Sequence, residues 1–263
     1  MWPRWVGASR MAEVVLGIES SGEWCSAAVV APSGRAEAAE RRPGEQLTFL
    51  FPMCQAVLRE AGVAPRDLTR IAVTVGPGSF TGLRLGLTTA RTMAQVLGCK
   101  LVPVSTLEAI ALGMVDAHRA GLEGGGERSV CAAALTDARK GQVFAAAWCF
   151  HGDGCTREQI GQPLALDPPD ARGWLAMVRD VAMRAQGSRG DDLSMLVGGS
   201  GLAAYPELAG EDFLVAPLEF ATPHARHVAA YGAGLYGEVD AVGLETVDAV
   251  YLRPPDVKPP RLP

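Results

Sequence analysis

The chain has 263 residues, 48% of them hydrophobic, 20% charged and 6% aromatic, which provides for a sizeable core in one large domain or two modest ones. Its 24 basic and 29 acidic residues leave a net charge of −5. Residues 1–131 carry 13 basic and 12 acidic groups and residues 132–263 carry 11 and 17, a balance that argues against a chain holding nucleic acid by itself and leaves any RNA to another subunit.

Residues 1–10 lack the apolar segment of a secretion signal and read as a disordered extension. Apolar runs at 14–19 and 24–30, split by Ser20-Ser-Gly-Glu23, and a third run at 35–41 predict a three-stranded meander. Helical spacing covers 45–61. A buried strand at 70–75 enters the turn Gly76-Pro-Gly-Ser-Phe-Thr-Gly82, followed by a helix at 81–97, a strand at 100–104 and a helix at 105–117. Residues 118–128 are glycine-rich and read as a linker. The pattern then recurs, with strands at 129–135, 143–150, 159–166 and 195–197 and helices at 174–185 and 223–236. Two copies of β-β-β-α-β-α predict an N-terminal lobe (11–117) and a C-terminal lobe (129–253) of one α/β design. Residues 254–263 hold five prolines and read as an extended tail.

Six cysteines are scattered through apolar stretches with no Cys-x-x-Cys pair, which points to reduced thiols rather than a zinc site or disulfide framework. No apolar run reaches the ~18–20 residues of a membrane span, so no membrane partner is expected and the cytoplasm is the default compartment. His224 and His227 stand three apart but lack an acidic neighbour, and no metal site is expected.

The glycine loop Gly76-Pro-Gly-Ser-Phe-Thr-Gly-Leu-Arg84 joins a strand to a helix. Gly78 is expected at positive φ, and Ser79 or Thr81 is placed to cap the helix. Gly76, Gly78, Ser79, Thr81 and Arg84 are therefore candidate anion or nucleotide contacts, as are Gly199 and Gly201 after the strand at 195–197. A tight turn that docks the helix is the competing reading. The loop is neither a Walker A sequence nor a nucleophile elbow. No catalytic residue emerges, and no confident cofactor site.

Three blocks carry a family resemblance: the glycine loop continued through Gly86 to Pro103-Val-Ser-Thr-Leu107, Asp137-Ala-Arg-Lys-Gly-Gln-Val143, and Val250-Tyr-Leu-Arg253. Together they resemble the TsaB family over residues 14–253. Glu19, Gln46 and Phe144 stand where that family commonly has Asp, His and Tyr. The resemblance implies the duplicated two-lobe ASKHA (actin, sugar-kinase and Hsp70-like) fold, with mixed sheets flanked by helices. It further implies a non-catalytic dimerization subunit, with no cofactor of its own, for threonylcarbamoylation of N6 of adenosine 37 in tRNAs that read ANN codons. The implied partners are a catalytic paralogue (TsaD) and an ATPase subunit (TsaE), with ATP used by the partner subunits. Transfer RNA would be reached indirectly through the complex, and a homodimer of this chain alone stays open. An ATP-dependent phosphotransferase or a protease of the same fold is the rival reading.

The helices support a docking role independently. Each carries apolar residues beyond the single stripe needed to cover a sheet. Phe51, Met53, Leu85 and Met93, large and near mid-helix, are the expected anchors of a partner interface.

Overall fold

The computed structural model describes residues 13–41, 45–121, 129–151, 156–186 and 193–253. Strands β1 (Val15–Glu19), β2 (Trp24–Ala31) and β3 (Gly34–Arg41) form an antiparallel meander, with Val15 opposite Val30 and Trp24 opposite Arg41. Helix α1 (Gln46–Glu60), strand β4 (Arg70–Gly76), helix α2 (Phe80–Leu97) and strand β5 (Lys100–Ser105) follow. Both later strands add in parallel, giving the sheet order β3-β2-β1-β4-β5.

Helix α3 (Thr106–Gly121) leads to β6 (Ser129–Arg139), β7 (Gln142–Phe150), β8 (Arg157–Leu166), α4 (Pro168–Gln186), β9 (Leu193–Gly198), α5 (Ser200–Ala204) and β10 (Leu214–Val215). The second sheet, β8-β7-β6-β9-β10, repeats the order of the first strand for strand. This is the duplicated two-lobe architecture of the ASKHA class. The short α5 and the two-residue β10 are additions to the expected elements. The 1–10 extension, most of the 118–128 linker and the 254–263 tail fall outside the described residues.

Side chains leave each strand to alternate faces, so both faces of a central strand need cover. Leu16 and Ile18 of β1 enter a core beneath α1 and α2 with Leu50, Val57 and Leu87. Each large aliphatic chain buried there contributes about 1.5–3 kcal/mol of transfer free energy. Val15, on the opposite face, packs with Ala72, Val102 and Val228. Val228 belongs to α6 (Ala225–Gly232), a helix from the end of the chain that returns to the first sheet. Helix α3 makes the reverse crossing: its Ile110 and Met114 pack with Ala132, Ala146 and Trp148 of the second sheet.

The crossing of α6 is held at both ends. Its first amides donate to Ser26 Oγ (2.9 Å) and Glu37 Oε1 (3.2 Å), and Arg70 donates to Gly232 O at 3.0 Å. A carboxylate at a helix N-terminus and a guanidinium at its C-terminus both suit the helix dipole. Gly17 lets α6 lie directly on β1, because a Cβ there would sit 2.5 Å from Ala225 O. The layers thus run α1/α2, first sheet, α6/α3, second sheet, α4/α5, with the two β-hairpin ends meeting at one side.

Candidate functional site

The β1–β2 hairpin is closed. Glu19, Ser20 and Ser21 are all buried. The Ser21 amide donates to Glu19 Oε1 at 2.7 Å, the Ser21 hydroxyl donates to the same oxygen, and the Thr74 hydroxyl reaches it at 3.5 Å. Burial pushes the Glu19 carboxyl up to about 7, against the lowering effect of these hydrogen bonds. Glu19 Oε2 has no hydrogen-bond partner among the described residues.

What closes the hairpin is the glycine loop. The Ser79 amide donates to Ser21 O at 2.6 Å, and Ser20 Oγ donates to Gly82 O at 2.8 Å. Ser79 caps α2 by accepting from the Gly82 amide at 3.3 Å. A Cβ at Gly78 would lie 2.5 Å from Ser21 O, at Gly82 2.0 Å from Ser20 O, and at Gly86 2.4 Å from Ser20 Oγ. The glycines therefore serve helix docking. Positive φ belongs to Gly76 (φ 120°), whereas Gly78 is not in the left-handed region and is required by close approach instead. That corrects the sequence expectation: the right residue, for a different reason.

The other loop candidates divide. Thr81 and Arg84 are exposed, and the Arg84 guanidinium lies 3.9 Å above the Phe80 ring. Gly199 (φ 119°) and Gly201 pack on Leu135 in the second lobe, where a Cβ on Gly199 would come within 2.0 Å of Leu135 O. Their close neighbours are Leu135 and Thr136, not the first-lobe loop.

The equivalent hairpin of the second lobe, β6–β7, is open. Arg139, Lys140 and Gly141 have φ of 62°, 53° and 79°. Positive φ at both Lys140 and Gly141 makes a type I′ connection, and Arg139 stands at a register shift beside Asp137. Asp137 receives the Arg139 amide at 2.8 Å and its guanidinium at 3.3 Å, and its own amide donates to Ser200 Oγ at 3.1 Å. Across the lobes, Glu23 lies 2.6 Å from Arg41 and 3.9 Å from Arg139. Arg253 donates to Arg139 O at 3.5 Å. Asp137 and Arg139 thus form a local pair that also faces Glu23 of the first lobe. The Lys-Gly turn was the available sequence signal for this hairpin.

On α1 and α2 the helix phase sorts the expected anchors. Buried positions on α1 are Leu50, Met53, Cys54, Val57 and Leu58, a single i, i+3, i+4, i+7, i+8 stripe. Met53 and, on α2, Met93 are therefore core residues under the sheet, which corrects their placement on the outer face; Leu85 is half-buried. Phe51 does face outward at 48% exposure. Leu47 and Val96, each 78% exposed, join it instead of the methionines.

The histidines separate. His224 Nδ1 is 3.9 Å from Glu37, and burial holds its imidazole down at about 4; His227 Nδ1 is 3.1 Å from Asp116, which also accepts from the Tyr236 hydroxyl. Among the described residues no group of three or more His, Cys, Asp or Glu could hold a metal, and no helix is long and apolar enough to cross a membrane.

The chain is 28% identical to the tRNA threonylcarbamoyladenosine biosynthesis protein TsaB of Escherichia coli (strain K12) over 240 residues, covering 91% of this chain and 94% of that one. It is also 37% identical to the TsaB protein of Bacillus subtilis (strain 168) over 94 residues, 36% of each chain. Among solved structures, YeaZ from Pseudomonas aeruginosa superposes with a TM-score of 0.64 at 26% identity, covering 91% of this chain and all of that one. Over nearly its whole length the chain is similar to TsaB proteins. Residues 44–160 also match the model of the family TsaD, tRNA N6-adenosine threonylcarbamoyltransferase. Another Pseudomonas aeruginosa structure, described as similar to peptidase YEAZ, aligns at 28% identity with a TM-score of 0.65 over 92% of this chain and all of that one. The Ser20 hydroxyl donates to Gly82 O and the Ser21 hydroxyl to Glu19 Oε1, and all three residues of that hairpin end are buried.

Proposed function

We infer that the chain is the non-catalytic dimerization subunit of a complex that attaches threonylcarbamoyl to N6 of adenosine 37 in tRNAs reading ANN codons. Its partners are a TsaD-type acyltransferase and a TsaE-type ATPase, and ATP is consumed by those subunits. The pathway follows from the names of the relatives, and the match of residues 44–160 to a TsaD model supports a partner built on the same first-lobe helices.

The observation that carries the scaffold role is the contrast within the first lobe. Its β1–β2 hairpin is filled by Ser20, Ser21 and the glycine face of α2, while its outer layer leaves Leu47, Phe51 and Val96 to solvent. Outward apolar side chains on two adjacent helices suit a like helix pair from a partner. A specific interface of this kind buries ~800 Å² on each side, with a few central anchors carrying most of the energy.

The test is capture of the TsaD-type partner by Phe51→Asp and Val96→Asp. A carboxylate that loses its water in an interface costs several kcal/mol, so capture should fall more than ~100-fold while circular dichroism stays native. Native binding by both variants would place the interface elsewhere.

A further inference from the structure

The three sequence blocks that mark this chain meet on one surface. Phe80, from the glycine loop, packs on Tyr251 with ring centroids 5.3 Å apart, and the Arg84 guanidinium lies 3.9 Å from the Phe80 ring centroid. Tyr251 is held in place by its neighbour, because the Val250 amide donates to Val75 O at 2.7 Å and Val250 O closes on Gly76. Two residues on, Arg253 touches Arg139 O, which brings in the Asp-Ala-Arg block. The ribbon Arg84–Phe80–Tyr251–Arg253–Arg139 is thus continuous, and both rings remain about two-fifths exposed.

Its charge is not balanced internally. Glu23 is taken by Arg41 and Arg139, Asp137 by Arg139, and the neighbouring Asp248 by Arg91 at 3.0 Å. Arg84 and Arg253 make no ion pair among the described residues. Exposed rings flanked by guanidiniums without carboxylate partners match bases and phosphates alternating along a single nucleic-acid strand. A protein partner is better matched by the outward apolar side chains, of which Val96 stands sixteen residues from Phe80 on α2, about 24 Å along its axis.

We propose that this ribbon holds a single-stranded RNA segment, with bases stacking on Phe80 and Tyr251 and phosphates taken by Arg84 and Arg253. The proposal rests on the tRNA-modification reading and adds to it a direct RNA contact by this subunit. Five residues are too few to bind RNA alone at physiological salt; they position a strand whose main grip lies on another subunit.

The experiment uses the full chain assembled with its TsaD-type partner. Ultraviolet crosslinking of an adenine-rich single-stranded RNA oligomer should map to peptides containing Phe80 or Tyr251, and a duplex of the same sequence should not crosslink there. Tyr251→Leu should weaken strand binding roughly 5- to 150-fold. Arg84→Gln and Arg253→Gln should each reduce the salt slope of log K by about 0.7. Unchanged affinity and slope in all three variants would overturn the proposal. So would loss of the TsaD-type partner from these variants with RNA binding intact, which would mark a protein contact. Failure of the wild-type chain to capture that partner would count against the dimerization reading instead, and crosslinking of the isolated chain at low salt, where few phosphate contacts suffice, would then decide the ribbon.

Discussion

The β1–β2 and β6–β7 hairpins occupy the same place in two sheets of identical strand order, yet they have opposite fates. In the first, Glu19, Ser20 and Ser21 are buried and every side-chain polar atom of the three but Glu19 Oε2 finds a partner inside the chain. In the second, Arg139 is exposed, two non-glycine residues sit at positive φ, and the turn reaches Glu23 of the other lobe and Arg253 of the chain end. A duplicated fold has thus made one hairpin a structural joint and the other a surface feature. Glycines decide the difference: Gly78, Gly82 and Gly86 bring α2 within contact of the first hairpin, whereas Gly141 in the second meets nothing within 4 Å.

The largest expected effect separates the two hairpins by adding a methyl group to each. Gly82→Ala places a Cβ 2.0 Å from Ser20 O, so one backbone must move and the chain should lose more than about 3 kcal/mol. Gly141→Ala has open space but keeps φ at 79° and should lose only about 1–2 kcal/mol. Urea midpoints of the two variants check the order, and equal losses would break the distinction.

Next is the pH dependence of the closed hairpin. Burial pushes the Glu19 carboxyl from the ordinary 4.5 up to about 7, so between those values the folded state holds a proton that the unfolded state has released. Stability from this group is complete below about pH 4.5, is lost as pH rises through about 7, and is level above that. Glu19→Gln keeps an oxygen to accept from Ser21. It should match the wild type at pH 4 and exceed it by about 3 kcal/mol at pH 8. A variant less stable at pH 8 would show that the carboxylate is used in its charged form.

The smallest effect concerns the open hairpin. Lys140 at φ 53° precedes Gly141, and Asn-Gly is the favoured pair for this turn. Lys140→Asn should gain about 0.5–1 kcal/mol, seen as a rise of a few degrees in Tm.

Most of the sheet architecture was legible because its strands are short apolar runs bounded by glycine, proline and serine turns. The meander, β4, β5 and β6 fall within a few residues of the expected positions. Helix α4 starts six residues early, at Pro168-Pro169-Asp170, a start signal of prolines followed by an acid. The two-residue β10 and five-residue α5 are too short for periodicity to register. The exchange of α3 and α6 between sheets was not legible either, since each helix is apolar enough for either face and only tertiary packing chooses. Helix phase explains the site errors. Met53 and Phe51 are two residues and about 200° apart on α1, so a reading good to one residue cannot say which faces out. The pairing of Phe80 with Tyr251 spans most of the sequence and left no local trace.

The most direct test of the account combines the sealed hairpin and the open helix face in one assay: tRNA threonylcarbamoylation by the reconstituted complex of this chain with TsaD-type and TsaE-type partners. The account predicts that Glu19→Gln supports the wild-type rate, because that carboxyl is structural, and that Phe51→Asp abolishes modification together with partner capture. Loss of modification by Glu19→Gln with the complex still assembled would contradict it, since the hairpin would then take part in the chemistry.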